Sequence, residues 1–441
     1  MIGLHLVIGY IISVAPGSSF YWGVSILVMG TLDIALNNNS QDRAAKWAAY
    51  WVGLEVMLRM TNGNVVWEAG KYGAILFLSI GLLSENIGRS WPKRYFTYFF
   101  LLLPSLLVVD YPNFGLAREE ISFNLSGPLL LTISAVYFYA RKVKGKELVA
   151  IFHSVSLPLI SLLLYLFIVT PSLDDIEFGT ESNFQASGGF GPNQVSTAIG
   201  LAIFLIIIGL FYKSYVIRNL SIDLVFLVFF AIRGFATFSR GGMIGPLIAG
   251  VILVGYSAIS SKRSTILVSV LSFFLLVGTV GAFGWNFVND KTQGRLKDRY
   301  EGRNYITGKA KDITTGRKEI MLAELNLFYQ NPILGIGPGM GTLLVTNKMG
   351  NLAHSHSEYT RLLAEHGILG VAALIVMIVS PIFYIFKLPR EQRPLPMAIL
   401  VFVLFILAHS SMRLAVPGFF YGLCLIKPNV SAKANGIRKN H

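Results

Sequence analysis

Fourteen apolar runs follow one another along the chain, near residues 2–14, 19–36, 44–60, 65–83, 95–109, 124–140, 148–170, 194–212, 221–238, 243–260, 264–284, 361–387, 394–411 and 415–427. A helix needs roughly 20 apolar residues to cross the hydrocarbon layer of a bilayer. Backbone inside hydrocarbon must satisfy its own N–H and C=O groups, so such runs fold as helices packed into a bundle. The first two runs and the last are short, which sets the expectation at about 12–14 spans. The fold class that follows is all-α, a polytopic transmembrane helix bundle.

Composition agrees. Only 14% of the 441 residues are charged and 54% are hydrophobic, where a soluble domain carries about 25% charged residues. The net charge of +14 does not point to nucleic acid, because the cations sit in short loops between apolar runs. Cytoplasmic loops of membrane proteins carry such an excess of Lys and Arg. The single cysteine, Cys424, excludes an intrachain disulfide framework. The N-terminal run has no basic segment before it and reads as a first span, not a cleaved signal.

Arg89, Lys93 and Arg94, then Arg141 to Lys146, Lys213 and Arg218, Lys262 and Arg263, and Lys387 to Arg393 occupy alternate loops. The tail with Lys427 and Lys433 falls on the same, cytoplasmic side. The outward loops are then 110–123, the acidic 171–193, the tight S-R-G-G at 239–242, and 285–360. The last is too long for a simple connection. Thr315 is placed to cap an amphipathic helix from Gly316 to Gln330, which Pro332 stops and which lies along the outer membrane surface. No repeats interrupt the chain, so residues 1–441 read as a single membrane domain with the 285–360 loop and its helix as a periplasmic cap.

Ionisable groups inside spans are costly and suggest function or pairing. Glu55 and Arg59, at i and i+4, and Glu68 and Lys71, at i and i+3, are spaced to pair and to fix one helix hairpin. Arg240 sits in F-S-R-G-G, where the glycines leave the backbone open to close approach. Its guanidinium suits bidentate phosphate binding, with an interfacial, snorkelling arginine as the plainer reading. Arg317 opens the amphipathic helix, whose N-terminal amides favour anions. G-I-G-P-G-M-G at 335–341 is no nucleotide loop, since it lacks the G-x-G-x-x-G spacing and follows no strand. Asp174 and Asp175 read as a solvated acidic loop, and no metal-ligand set stands out. His354 and His356, followed by Glu358 and Tyr359, lie at the mouth of a span, and a neutral imidazole there can accept a hydroxyl proton.

His356-Ser357, nine residues, Gly367, two residues and Gly370 resemble the H-[NSQ]-x9-G-x-x-G pattern of the bacterial O-antigen ligase/polymerase superfamily. N-P-I-L-G-I-G-P-G, S-R-G-G with Arg240, T-G-R with Arg317 and G-F-G-P-N-Q at 189–194 extend the resemblance over most of residues 185–390. Ser357 stands where asparagine is common, which alters the hydrogen bond available there. The resemblance implies a metal-independent, inverting glycosyltransferase without cofactor. It would move a glycan from undecaprenyl diphosphate to an acceptor hydroxyl at the periplasmic face of the inner membrane. Arg240 and Arg317 would bind the diphosphate and His356 would activate the acceptor. His354, Ser357, Glu358, Tyr359 and Asn193 are further candidate substrate contacts.

The acceptor separates two readings within that family: lipid A core for a ligase, another repeat unit for a polymerase. A lipid-glycan flippase or other transporter is the rival from a different class, as is an inactive partner in an export complex. A flippase would line a central cavity with its polar residues, whereas here they gather in outer loops. The cationic stretch with Arg295, Lys297, Arg299, Arg303, Lys309 and Lys311 either attracts the anionic donor or is simply solvated.

Overall fold

The computed structural model of the chain describes residues 1–85, 91–179, 181–260, 265–304, 316–349 and 355–429. Helices α1 (Ile2–Val14), α2 (Ser18–Leu36), α3 (Arg43–Met60), α4 (Ala69–Ser84), α5 (Lys93–Phe100), α6 (Phe114–Phe138) and α7 (Gly145–Val169) form the first half. The second half holds α8 (Pro192–Tyr212), α9 (Leu220–Ala236), α10 (Arg240–Ser260), α11 (Thr265–Lys291), α12 (Arg295–Glu301), α13 (Arg317–Gln330), α14 (Met340–Met349), α15 (Glu358–Lys387), α16 (Pro394–His409) and α17 (Ala415–Leu423). The all-α bundle is therefore the fold. Among the described residues seven helices are long and apolar enough to cross a membrane, and α1, α4 and α16 are shorter apolar helices.

By that measure the apolar runs divide into full-length and shorter helices, for physical reasons visible in particular helices. Run 95–109 breaks into α5 and a 3-10 turn at Pro104–Val108, because Pro104 cannot continue the helix. The last run yields only the nine-residue α17, every residue of it buried in protein. Two boundaries also moved. α6 starts at Phe114, ten residues before its apolar run, with the Asn113 side chain capping Leu116 N at 2.9 Å. α11 runs on to Lys291, into the stretch expected as loop.

Burial follows the sequence pattern. α3, rich in Ala44, Ala45, Ala48 and Ala49, and α8 are buried along most of their length, and small residues let such helices approach closely. Large apolar side chains on α1, α2 and α11 face outward instead, among them Leu4, Val7, Val28, Leu271 and Leu275. On a membrane protein that is the surface lipid covers. The ion pairs expected at i, i+4 and i, i+3 are present. Arg59 holds Glu55 at 2.9 Å, Lys71 holds Glu68 at 2.6 Å, and Arg59 reaches Glu68 at 3.5 Å. Glu55 also accepts from Ala415 N at 2.7 Å, tying α17 to this hairpin.

A two-stranded parallel pairing, β1 (Lys142–Lys144) with β2 (Lys427–Asn429), closes one end of the bundle. Two of the cationic segments expected on one side thus lie together. The starts of α8, α10 and α15 and the ends of α9 and α16 gather elsewhere, with α12 and α13 over them.

Candidate functional site

The site is built around the entry to α15. His356 and Ser357 precede the helix, and Gly367, within it, has φ +59 and ψ −140. That conformation is open to glycine and strained for other residues. It breaks the helical hydrogen-bond ladder, so carbonyls that would have accepted from the next turn are available. Ala364 O accepts from Ile336 N and Glu365 O from Gly337 N, both at 3.0 Å, while Ile368 N donates to Pro332 O at 2.8 Å. The glycine-rich 335–341 stretch is therefore a docking strip for the α15 kink. Gly335 has φ +71, and a Cβ there would stand 2.4 Å from Glu365 C. A Cβ on Gly370 would meet Leu362 O at 1.9 Å. Both glycines of the histidine motif thus shape the helix that carries it.

Arginines converge beside this entry. Arg240 is the first residue of α10, and its Nη1 donates to Arg299 O at 3.3 Å. Arg299, only 5% exposed, donates from Nε to Phe238 O at 3.2 Å. Arg317 is the first residue of α13, after Gly316 at φ +79, and its Nη2 donates to Asn193 Oδ1 at 3.2 Å. Asn193 Oδ1 also accepts from Ser239 Oγ at 2.9 Å, so one amide joins α8 to both arginine-bearing segments. Arg413, between α16 and α17, donates from Nη2 to Ser355 O at 2.5 Å. Thr315, expected as the α13 cap, lies outside the described residues.

The four charges act on one another. Burial, then Arg240 and Arg317, hold Arg299 down to about 10. Burial, then Arg240, lower Arg317, and burial with Arg317 brings Arg413 to about 10. Among the described residues neither Arg317 nor Arg413 has an ion-pair partner. Glu181 acts on Arg299 and Glu324 on Arg413 from nearby, and a further anion would offset the repulsion that remains around Arg317. A site of this kind suits a phosphate or diphosphate, which guanidinium groups grip bidentately.

The remaining candidates fall out differently. Asn193 stands in the arginine cluster. Glu358 is fully buried, with Arg361 paired across both its oxygens and Oε2 accepting from Ser411 Oγ and, at 3.3 Å, Met412 N. It fastens the 410–412 turn to α15. Tyr359 points its hydroxyl to Leu404 O at 2.8 Å, and Ser357 is 3% exposed. His354, Lys309 and Lys311 lie outside the described residues. The α15 entry is tied to the helix that carries Arg317 through Thr360 and Glu324 of α13. Glu324, seven residues after Arg317 and so on the same face, accepts from Thr360 Oγ1 at 2.5 Å. Burial pushes its carboxyl up, against the hydroxyls of Thr360 and Ser355.

The glycines after Arg240 do not serve an approaching ligand. A Cβ on Gly241 would stand 2.2 Å from His409 Cδ2, and one on Gly242 2.4 Å from Ser196 O. They let α10 pack against α16 and α8. Arg413, His409 and Glu324 were not singled out by sequence reasoning; each is an isolated polar residue whose place depends on where a helix returns. Arg295 donates to Phe178 O and Lys291 pairs with Asp174 at 2.7 Å, which consumes part of the cationic stretch and of the acidic loop.

An apolar cavity of about 490 Å³ adjoins the cluster between α10 and α11, lined by Met243, Leu247, Phe273, Val277, Gly278 and Trp285 among others. Tyr300, which feels the charges of Arg240 and Arg299, closes its arginine end and meets Trp285 edge-on at 4.9 Å. Cations at the head of an apolar slot suit an anionic lipid.

Residues 224–375 match the family described as O-Antigen ligase. That span contains Arg240, Arg317 and His356. No curated protein matches the chain.

Proposed function

We propose that this chain, a member of the O-antigen ligase/polymerase family by its match over residues 224–375, transfers a glycan from a polyprenyl diphosphate, undecaprenyl diphosphate in bacteria, to an acceptor hydroxyl. The observation that carries this reading is the cluster of Arg240, Arg299, Arg317 and Arg413 beside the His356 loop. In the reaction the acceptor oxygen bonds to the anomeric carbon as the bond from that carbon to the diphosphate breaks. One direct displacement inverts the anomeric centre. Negative charge moves onto the diphosphate, where Arg240 and Arg317 offset it. Guanidinium groups can thereby take the part a divalent ion plays elsewhere. His356 accepts the proton of the acceptor hydroxyl, help of the kind that contributes about 10²–10⁴ in rate.

The lipid tail enters the apolar slot between α10 and α11, and the active site faces the periplasm from the inner membrane. Lipid A core is the acceptor favoured by the family's description as a ligase; a growing repeat-unit chain would make the enzyme a polymerase with the same donor chemistry. In purified, reconstituted chain, His356→Ala should abolish transfer, and a variant as active as wild type would sink the assignment. Deleting the gene separates acceptors: loss of all long glycan from lipid A core indicates a ligase, and a single repeat left on core indicates a polymerase.

A further inference from the structure

A second cavity, of about 1060 Å³, opens between the α3–α4 turn and the first half of α6. Its wall combines Trp67 and Tyr72 with Arg59, Glu68, Arg118 and Glu119. Gln194, next to Asn193, and Arg413 also line it, so it shares Arg413 with the arginine cluster and abuts the His356 loop. We propose that this cavity holds the sugar acceptor; the proposal rests on the glycan-transfer reading above and adds where the acceptor sits.

The chemistry of the wall carries this. Three arginines (Arg59, Arg118, Arg413) face three glutamates (Glu68, Glu119, Glu120), so the lining is balanced in formal charge. The arginine cluster selects a polyanion; a balanced wall selects a ligand that both donates and accepts hydrogen bonds. Glu68 and Arg59 are 4% and 2% exposed, yet Glu68 Oε1 and Arg59 Nε and Nη1 have no hydrogen-bond partner among the described residues. Buried polar atoms left unpaired are costly, and sugar hydroxyls supply both kinds of partner. Trp67 is 53% exposed at the rim, with the Arg59 guanidinium 5.2 Å from its ring centroid. An exposed indole offers the flat apolar surface on which the C–H face of a pyranose stacks. Arg413 is the shared wall, so an acceptor lodged here would present its end toward the His356 loop.

The test uses the full chain in proteoliposomes with its polyprenyl diphosphate donor and two acceptors assayed separately, lipid A-core and a repeat-unit oligosaccharide. Trp67→Ala should raise the acceptor KM on the order of tenfold, leave the donor KM unchanged, and be largely rescued by Trp67→Phe. A changed donor KM with an unchanged acceptor KM would overturn the assignment, as would no change in either. Binding is read independently by titrating the chain, without donor, with deacylated core oligosaccharide and with the repeat-unit oligosaccharide. A fluorescence change that Trp67→Phe removes supports the cavity, and the sugar that produces it identifies the acceptor; no change with either sugar overturns it. Wild-type chain that binds sugar at Trp67 but transfers nothing would keep the cavity and reject glycan transfer.

Discussion

Arg317 shows why a side chain's neighbours matter more than its charge. Its fork donates to Asn193 Oδ1 at 3.2 Å, and burial beside Arg240 lowers its proton affinity. The remaining donors of a planar group held this way are set for an anion. Lysine keeps the charge and loses the fork. Arg240→Lys and Arg317→Lys should each cost about 1.5–3 kcal/mol of donor binding in the transition state, roughly ten- to hundredfold in kcat/KM for donor. Steady-state kinetics against donor concentration check this, and wild-type values in both variants would contradict it. His356, Arg240 and Arg317 stood out as candidates in the sequence because each sits in a short motif. Arg413 was not, since no local pattern announces that the α16–α17 turn returns to Ser355. Glu358 was read as a substrate contact from its place beside the histidines, whereas burial commits it to Arg361, Ser411 and Met412.

At the scale of the element, the α15 kink links a glycine spacing to a site. Gly367 lets the helix turn so that residues 332–337 dock on it, and this fixes the helix whose first turn follows His356. Gly367→Ala would place a Cβ 2.5 Å from Ile333 O at φ +59. A strained residue of this kind costs on the order of 1–3 kcal/mol, so the variant should melt several degrees lower and lose activity with it; an unshifted Tm would refute the role of the kink. Helix ends were less legible than helix centres. α6 begins ten residues ahead of its apolar run because Arg118, Glu119 and Glu120 line a cavity and not lipid, and hydropathy cannot register a polar helical face. The α10–α11 slot makes a different prediction. Among the described residues no atom lies within 4 Å of a Cβ added at Gly278 or Gly281, so Gly278→Leu places a side chain at the wall of the slot where a Cβ has room. It should raise the KM for a long-chain polyprenyl diphosphate donor about tenfold and leave a short-chain, water-soluble donor unaffected. Equal effects on both donors would remove the tail from this slot.

The whole molecule carries +14, and much of that charge is explained by loops that orient spans. The arginine cluster is a separate matter, because it draws cations together from α10, α12, α13 and the α16–α17 turn, segments far apart in the chain. Folding must work against their burial first and their mutual repulsion second, and both lower the proton affinities of Arg299, Arg317 and Arg413. An anion seated among them relieves the repulsion only in the folded state. Binding to the folded form alone adds RT ln(1 + [L]/Kd), about 2.7 kcal/mol at a hundredfold excess over Kd. Inorganic pyrophosphate should therefore raise the Tm of the purified chain, and Arg317→Met should reduce that shift while lowering the salt sensitivity of binding. If the guanidinium groups alone neutralise the diphosphate, EDTA leaves both the pyrophosphate shift and the transfer rate intact. Loss of either with EDTA, restored by one divalent ion, would assign the charge neutralisation to a metal and not to the arginines.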